Sequence, residues 1–258
     1  MNYTKLIAFI SGLVLLGACH KPLKEIPDKL VVFTFDDASA SHYAYVAPLL
    51  KKNGFNATFF VCEFQDFELK NKYMTWEQIK ELGEMGFEIG NHTRSHPNIT
   101  KITTEEFISE LEYTEDKCKS LGLKRPRSFA YPAYFRNQEN IDVLESKGYY
   151  FSRIGGQETY KPQSDYPLLV PSFSGSRKDT ASVYKAFDSA KNGEIVVMTF
   201  HGVPDNAHSW VTLEPQLFEE YVTYLKENDF KVISMGELSD YVDVRKALKI
   251  TEPKKIGK

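Results

Sequence analysis

Short, almost continuously apolar segments alternate with helical patterns along most of the chain, and this alternation restricts the possible folds. The apolar segments are rich in Val, Ile, Phe and Tyr, as expected of strands that are covered on both faces. The predicted strands are 30–35, 57–61, 87–91, 127–131, 149–154, 168–172, 194–200 and 231–235. Alternating strands and helices predict parallel strands joined by right-handed crossovers.

Helix starts are readable between these segments. Thr75 precedes apolar residues at helical spacing that end at Gly86, and Thr103 with Glu106 forms a capping-box pattern. Further helices are predicted at about 43–53, 137–147, 180–191, 214–228 and 236–247. Seven or eight strand–helix units in this length predict an α/β barrel or near-barrel. An open doubly wound sheet is the alternative, but no Gly-rich loop follows the first strand.

The N-terminus differs from the rest of the chain. One positive charge precedes the mostly apolar segment 6–16, which is too short to span a bilayer with ease. The segment ends in "LGAC", which resembles the bacterial lipobox and identifies Cys19 as the expected lipidation site. We therefore expect a signal peptide at 1–18, a linker at 19–28 and one catalytic domain at 29–258. The alternative is a plain signal peptide or signal anchor with a chance Cys.

Composition is that of an ordinary globular protein. The 258 residues are 42% hydrophobic and 26% charged, with a net charge of −3, which argues against nucleic acid as a partner and against electrostatic docking to anionic membranes. Cys62 follows a predicted strand and Cys118 lies within a predicted helix, so we expect two buried free thiols, with a disulfide as the alternative.

Polar residues follow three of the predicted strands. They are Asp36 and Asp37 in "VVFTFDD", His92 and His96 in "NHTRSH", and His201 in "FHG". In a barrel of alternating strands and helices, the carboxyl ends of the strands form one face, and active sites are built there. These five residues, which are far apart in the sequence, are therefore expected to converge.

The adjacent carboxylates raise an electrostatic question, because both cannot ionise cheaply in a buried site without a cation or a hydrogen-bond donor. His92 and His96 are four residues apart and can lie on one side of a helical turn, so they can offer two imidazoles to one ion. With one Asp carboxylate they would form a two-His, one-carboxylate set that leaves positions open for water and substrate. The alternative is a solvated turn beside a surface HxxxH pair, but the additional strand-end His favours a metal site.

The segments "FTFDD", "NHTRSH" and "MTFHG", in this order and spacing, resemble the motifs of the polysaccharide deacetylase family, the NodB-homology domains of carbohydrate esterase family four. The resemblance extends over about residues 29–240. It implies an α/β fold, a distorted (β/α) barrel with about seven parallel strands. It also implies one divalent metal, usually Zn²⁺ and in some members Co²⁺ or Ni²⁺.

Individual roles follow from the same resemblance. Asp36 matches the catalytic base, His201 matches the general acid, and the metal ligands are Asp37, His92 and His96. Proton transfer by a positioned acid or base contributes about 10²–10⁴-fold to such a reaction. The N–H group of Ala133 is the candidate backbone donor to the oxyanion.

The third family motif, Arg-Pro-Pro-Tyr-Gly, aligns with "AYPAY" of this chain. Ala130 therefore stands where the Arg that contacts the catalytic base is expected. Arg153, Arg136 and Arg177 are the candidates to replace this cation, and the sequence does not choose among them. No clear counterpart is found for the family's Asp-and-Trp segment that orients the catalytic His.

Aromatic residues near these motifs are candidates to contact a sugar. Tyr131, Tyr134 and Phe135 have faces that suit sugar C–H groups, with ordinary core or rim positions as the alternative. His208 and Trp210 are expected to line the substrate groove, with loop positions without a role as the alternative, whereas His42 is expected to be a solvent-exposed bystander.

The resemblance implies a metal-dependent hydrolase that removes acetyl groups from a carbohydrate, with an N-acetylated amino-sugar polymer or oligomer as the expected substrate. An O-acetyl esterase acting on acetylated xylan or another plant glycan is the alternative. A catalytically inactive glycan-binding lipoprotein is a further alternative. We expect a monomer that is exported and attached to a bacterial cell-envelope membrane only through its N-terminal lipid.

Overall fold

The computed structural model describes residues 22–176 and 179–252. Its strands are β1 (Leu30–Phe35), β2 (Thr58–Val61), β3 (Glu88–Asn91), β4 (Ser128–Ala130), β5 (Phe151–Arg153), β6 (Phe173–Ser174), β7 (Val196–Phe200) and β8 (Lys231–Ile233). Its α-helices are α1 (Ala47–Asn53), α2 (Trp76–Glu84), α3 (Thr104–Ser120), α4 (Gln138–Ser146), α5 (Thr180–Phe187), α6 (Pro215–Glu227) and α7 (Val244–Ile250).

The strands form one curved, wholly parallel sheet. Seven of them follow the order β5-β4-β3-β2-β1-β7-β6, and the short β8 pairs with the first half of β1. Val170 exchanges backbone hydrogen bonds with the end of β5, and the same segment continues into β6 beside β7. The expected distorted (β/α) barrel of about seven strands is confirmed, with β8 as an additional short strand.

The central strand β1 is buried along its entire length and contributes to two hydrophobic cores. Val31, Phe33 and Phe35 pack in the cluster that includes residues of the surrounding helices, whereas Leu30 and Val32 pack with residues from β2, β4, β5 and β7. The second cluster is therefore the barrel interior. Side chains of a strand alternate between its faces, so this register directs the residue after β1 towards the interior.

The predicted helix starts at Thr75 and Thr103 are confirmed. Each hydroxyl accepts a hydrogen bond from the backbone N–H three residues later, and the side chains of Gln78 and Glu106 complete the two capping boxes. These caps satisfy backbone donors that have no partner within the helix, which defines where α2 and α3 begin.

Two predicted elements were wrong. Segment 168–172 is not a strand: a 3₁₀ turn spans Pro167–Leu169, and β6 begins only at Phe173. Pro171 lacks a backbone donor and interrupts any regular ladder there. Segment 236–247 is not one helix either: a 3₁₀ turn (Gly236–Asp240) is followed by α7, whose start is capped by the Asp243 side chain.

Candidate metal and acetyl-transfer site

The adjacent carboxylates after β1 are both buried, and although His92 lies near both of them, Asp36 alone pairs with an arginine. Asp36 continues the interior face of β1, and its N–H donates to the carbonyl of Phe200 on β7. Asp37 has a φ of 72°, in the left-handed region that Asp tolerates better than most residues. This turn directs Asp37 towards the histidines, whereas Asp36 meets an arginine.

Asp37, His92 and His96 form the cluster that could hold a metal. The Asp37 Oδ1 atom lies 3.5 Å from Nε2 of His92 and 3.8 Å from Nε2 of His96. All three ligand atoms lie within 4.8 Å of one another. Ligands bonded to Zn²⁺ at about 2.0–2.1 Å in a tetrahedron are roughly 3.3 Å apart, so this donor set fits a small divalent cation.

The hydrogen bond of His92 and the burial of His96 both suit metal binding. His92 Nδ1 donates to the carbonyl of Ala130 at 2.7 Å, so Nε2 is the ring nitrogen that faces Asp37. Burial lowers the pKa of His96 to about 4, so this ring is neutral near pH 7. A neutral imidazole whose second nitrogen is fixed by a carbonyl is the usual arrangement of a metal-bound histidine.

Arg153, at the end of β5, supplies the cation that Ala130 cannot. Its Nη2 donates to Oδ2 of Asp36, and the guanidinium is completely buried. Arg136 donates instead to the carbonyl of Tyr134, and Arg177 lies outside the described residues. Of the three cations considered from the sequence, Arg153 is therefore the one that contacts the base position.

Asp36 has one oxygen paired and one oxygen free. Burial would raise the pKa of this carboxyl, but the charges of Arg153, His92 and His201 outweigh burial and hold the pKa below its ordinary value. Among the described protein groups, no hydrogen-bond donor reaches its Oδ1 atom, which is buried. Asp36 is thus ionised with one accepting oxygen available, which is the state that a general base needs.

His201 follows β7 and lies at the same level as Asp36, because Phe35 and Phe200 pair in register. Its Nε2 lies 3.8 Å from Oδ2 of Asp37. His42 was wrongly expected to be exposed: it is completely buried, and its Nε2 donates to the backbone carbonyl of His201 at 3.1 Å. Burial lowers the pKa of His42 to about 4, so it acts as a neutral donor that supports this strand end.

Two further residues meet the Asp37 side of the site. His208 Nδ1 lies 3.5 Å from Oδ2 of Asp37 and 3.7 Å from Oδ1 of Asp205. Burial opposes ionisation of Asp205, but the nearby His208 ring and hydrogen bonds from the backbone N–H groups of Gly202, His208 and Ala207 outweigh it and lower its pKa. Asp205 thereby organises the loop after β7. The role of Asp205 was not predicted from the sequence. Its three-residue spacing from His208 in "VPDNAHSW" was the signal that could have indicated it.

The two described cysteines are buried and free, as expected. The Sγ atom of Cys62, just beyond β2, lies 3.8 Å from Oδ1 of Asp37 and donates to it. Burial, followed by the charge of Asp37, raises the pKa of this thiol well above its ordinary value, so it remains protonated. Cys62 therefore supports the Asp37 carboxylate as a neutral hydrogen-bond donor.

The predicted aromatic contacts separate into buried and exposed residues. Tyr131 is buried, and its hydroxyl donates to the carbonyl of Leu168 at 3.1 Å, so its ring cannot stack on a sugar in this conformation. Tyr134 is partly exposed, and Trp210 is 77% exposed with its ring packed against His208. Ala133 lies in the exposed turn after β4 with a φ of 46°.

Comparison with known proteins agrees with this arrangement. The family model described as polysaccharide deacetylase matches residues 24–152, half of the chain. A parallel (β/α) barrel with an Asp-His-His cluster and a second Asp at its carboxyl edge defines the class, and the chain belongs to the polysaccharide deacetylase family.

Individual relatives match different shares of the chain. It is 29% identical over 127 residues to the putative polysaccharide deacetylase YxkH of Bacillus subtilis, covering 49% of this chain and 44% of that protein. It is 24% identical over 214 residues to a bifunctional xylanase/deacetylase of Pseudobutyrivibrio xylanivorans, covering 81% of this chain and 30% of that protein. The first relatives are thus matched over less than two thirds of their length.

A solved structure gives the same fold. The chitin deacetylase from the fungal pathogen Colletotrichum lindemuthianum superimposes with a TM-score of 0.58 at 20% identity, covering 84% of this chain and 89% of that chain. Among the described residues, no helix has the length and apolar character needed to cross a membrane. Cys19 and the predicted signal peptide lie outside the described residues.

Proposed function

We propose that the protein is a metal-dependent hydrolase that removes acetyl groups from a carbohydrate, with N-acetyl groups of an amino-sugar polymer or oligomer as its substrate. The observation that carries this proposal is the convergence of a three-ligand cluster, an ionised carboxylate with one free oxygen and a third histidine at one edge of the barrel. Hydrolysis of an acetyl group requires a base, an acid and electrostatic stabilisation of the oxyanion.

The ligand cluster supports one divalent cation, with Zn²⁺ as the proposed metal and Co²⁺ or Ni²⁺ as alternatives. Asp37, His92 and His96 would hold it, because their donor atoms are a carboxylate oxygen and two imidazole nitrogens. When bound, the metal would supply Lewis-acid activation of water and of the acetyl carbonyl.

The remaining groups carry the proton transfers. Asp36 accepts a proton at Oδ1, while Arg153 holds its Oδ2 and keeps the carboxylate ionised. His201, whose ring is partly exposed, gives a proton to the leaving group. An amine leaves an amide only after protonation, whereas an alcohol leaves an ester more readily. A histidine in this position therefore favours the N-acetyl substrate.

A polymeric substrate is supported by the surroundings of the metal ligands. A cavity of about 510 Å³ borders the His92–His96 loop and is lined by Glu63, Phe64, Arg94 and Glu110, among others. Phe64 also packs against His96 at 5.2 Å between ring centroids. Polar and charged side chains beside an aromatic ring suit sugar hydroxyl and C–H groups. The exposed indole of Trp210 is proposed to contact a neighbouring sugar.

Acetylated xylan is the second candidate substrate, because the matched bifunctional relative is named as a xylanase/deacetylase. The experiment is to measure bound metal and acetate release from N-acetylated chitooligosaccharides and from acetylated xylan, for the wild type and Asp36→Ala. We expect acetate from the chitooligosaccharides and little from the variant. Acetate from xylan alone would replace the N-acetyl assignment by the ester one. A protein without bound metal or acetate release would leave only the glycan-binding alternative.

We further propose that residues 1–18 are removed on export and that lipid on Cys19 tethers residues 29–258, through the linker 19–28, to a bacterial cell-envelope membrane as a monomer. The lipobox-like "LGAC" supports this location. Lipid labelling of the wild type and of Cys19→Ala tests it: equal labelling of both would refute the anchor.

A further inference from the structure

The Arg153 guanidinium is enclosed by two aromatic rings, one in the core and one at the surface. Phe60 is buried, and its ring centroid lies 5.6 Å from the guanidinium carbon. The ring centroid of Tyr134 lies at the same distance, and its hydroxyl is 3.5 Å from Nη1 of Arg153. Tyr134 is 37% exposed, so it covers the buried Arg153 on the side of the solvent.

The backbone of Tyr134 is in an unfavourable conformation. Its φ is 62°, and Ala133 before it also lies in the left-handed region with a φ of 46°. Such values are uncommon for a bulky aromatic residue, and they persist only where the surroundings over-determine the conformation. The aligned family motif has glycine at this position. A residue that bears backbone strain at the edge of an active site is a candidate for a functional role.

Gly155 shows that the position of the Tyr134 ring is enforced from a second side. A Cβ atom added to Gly155 would lie 3.0 Å from Cε2 and 3.1 Å from Cδ2 of Tyr134. The absence of a side chain at Gly155 therefore allows the ring to lie where it covers Arg153. Three residues of this chain are thus arranged together: an arginine at the end of β5, a tyrosine in a strained turn and a glycine that leaves room for it.

We propose that Tyr134 is a positioning residue that holds the Arg153 guanidinium against Asp36 and excludes water from that ion pair. The inference rests on the proposed function only through the assay, since the contact itself can be measured without substrate. Tyr134 acts through Arg153, so its loss should lower kcat. A sugar-stacking residue would change KM instead.

The test uses Tyr134→Gly, which removes the ring and relieves the backbone, and Tyr134→Phe, which keeps the ring. Asp229→Gly is the matched control, because Asp229 has a φ of 57° in the turn between α6 and β8. We expect Tyr134→Gly to lower kcat for acetate release about tenfold or more with KM unchanged, since small misplacements of a catalytic group have effects of this order. Tyr134→Phe should retain most of kcat, and Asp229→Gly should match the wild type.

Gly155→Ala provides a second variant that leaves Tyr134 in place. It should lower kcat in the wild type, because the new methyl group displaces the ring, and should have little effect in the Tyr134→Gly background. Equal effects of Gly155→Ala in both backgrounds would contradict the proposal. So would a rise in KM at constant kcat in Tyr134→Gly.

A measurement that does not depend on catalysis tests the role of Tyr134 independently of the proposed function. Arginine side-chain NMR signals, assigned by loss of one set in Arg153→Lys, should show a guanidinium with restricted rotation in the wild type. Tyr134→Gly should speed this rotation, although the hydrogen bonds of the guanidinium to Asp36 and Thr199 remain, and Asp229→Gly should leave it unchanged. A wild type that releases no acetate but shows this immobilised arginine would refute the function and leave the positioning role standing. An Arg153 signal unchanged in Tyr134→Gly would overturn the inference even if the enzyme is active.

Discussion

The two carboxylates after β1 are held by surroundings of different origin. Asp37 meets His92 and His96, which come from one loop and are four residues apart. Asp36 meets Arg153, which is 117 residues away in the sequence. We call Asp37, His92 and His96 the metal side of the site, and Asp36 with Arg153 the base side. Two of the three residues of the metal side come from one loop, whereas the base side exists only once the barrel brings β1 and β5 together.

This difference explains how the cation beside Asp36 can come from a position other than that of the family motif, while Asp37, His92 and His96 match the family motifs. A metal site requires a fixed number of ligands at fixed distances, so each ligand must stay. A buried carboxylate requires only that some cation reach it with good hydrogen-bond geometry. Ala130 and Arg153 are direct neighbours across the β4–β5 pair, so the cation has an alternative position one strand away.

The largest expected effect separates the two carboxylates. Asp37→Asn should lose both bound metal and acetate release, because it removes a charged ligand. Asp36→Asn should retain the metal and lose about 10²–10⁴-fold in kcat, since it removes only the base. Metal analysis of the purified variants together with acetate release measures both. Equal loss of metal in the two variants would mean that the carboxylates share one role.

The next effect concerns the stability of the base side. Arg153→Met should lower the free energy of unfolding by about 3–5 kcal/mol, because it leaves Asp36 buried without its cation. The double variant Asp36→Asn with Arg153→Met should recover part of that loss. Urea unfolding measures both, with Arg127→Met as the control. Arg127 donates to the carbonyl of Gly148 and lies over the ring of Tyr150, and it pairs with no buried carboxylate among the described residues. If Arg153→Met lowered the free energy of unfolding no more than Arg127→Met does, the Asp36–Arg153 pair would not be needed for stability.

The smallest expected effect is on the pH dependence of stability and concerns His42. This residue contacts neither carboxylate directly and donates to the backbone carbonyl of His201. Its pKa is about 4 in the folded protein and near 6.5 when unfolded, so the unfolded state binds more protons between these values. Stability from this group is present above pH 6.5 and is lost as the pH falls towards 4, by about 3 kcal/mol in all. In His42→Phe this contribution to the pH dependence should disappear.

The measurement is urea unfolding of both proteins from pH 4 to pH 8 in the same metal-free buffer, so that the other histidines titrate alike. The wild type should exceed His42→Phe by an amount that shrinks as the pH falls. Parallel stability curves would show that His42 is not a buried neutral group.

Local sequence patterns predicted much of the fold and one side of the site. The capping boxes at Thr75 and Thr103 and the apolar strand β1 depend on contacts within a few residues, so their patterns were sufficient. For His92 and His96 the spacing predicted the pair, but the rings are placed by a loop in which Thr93 and His96 are left-handed, and not by a helical turn. By contrast, the segment around Pro167 and Pro171 has strand-like composition but lacks the donors that a ladder requires.

The sequence by itself determined that one buried strand ends in two carboxylates and that two histidines four residues apart follow another strand, because strand period and motif spacing are local properties. Only the tertiary structure decided which cation holds Asp36, that His42 is buried behind His201, and that Tyr131 faces the core while Tyr134 covers Arg153. Those choices depend on which strand ends become neighbours and on their register. In a curved sheet of short strands, these are set by packing across the whole barrel.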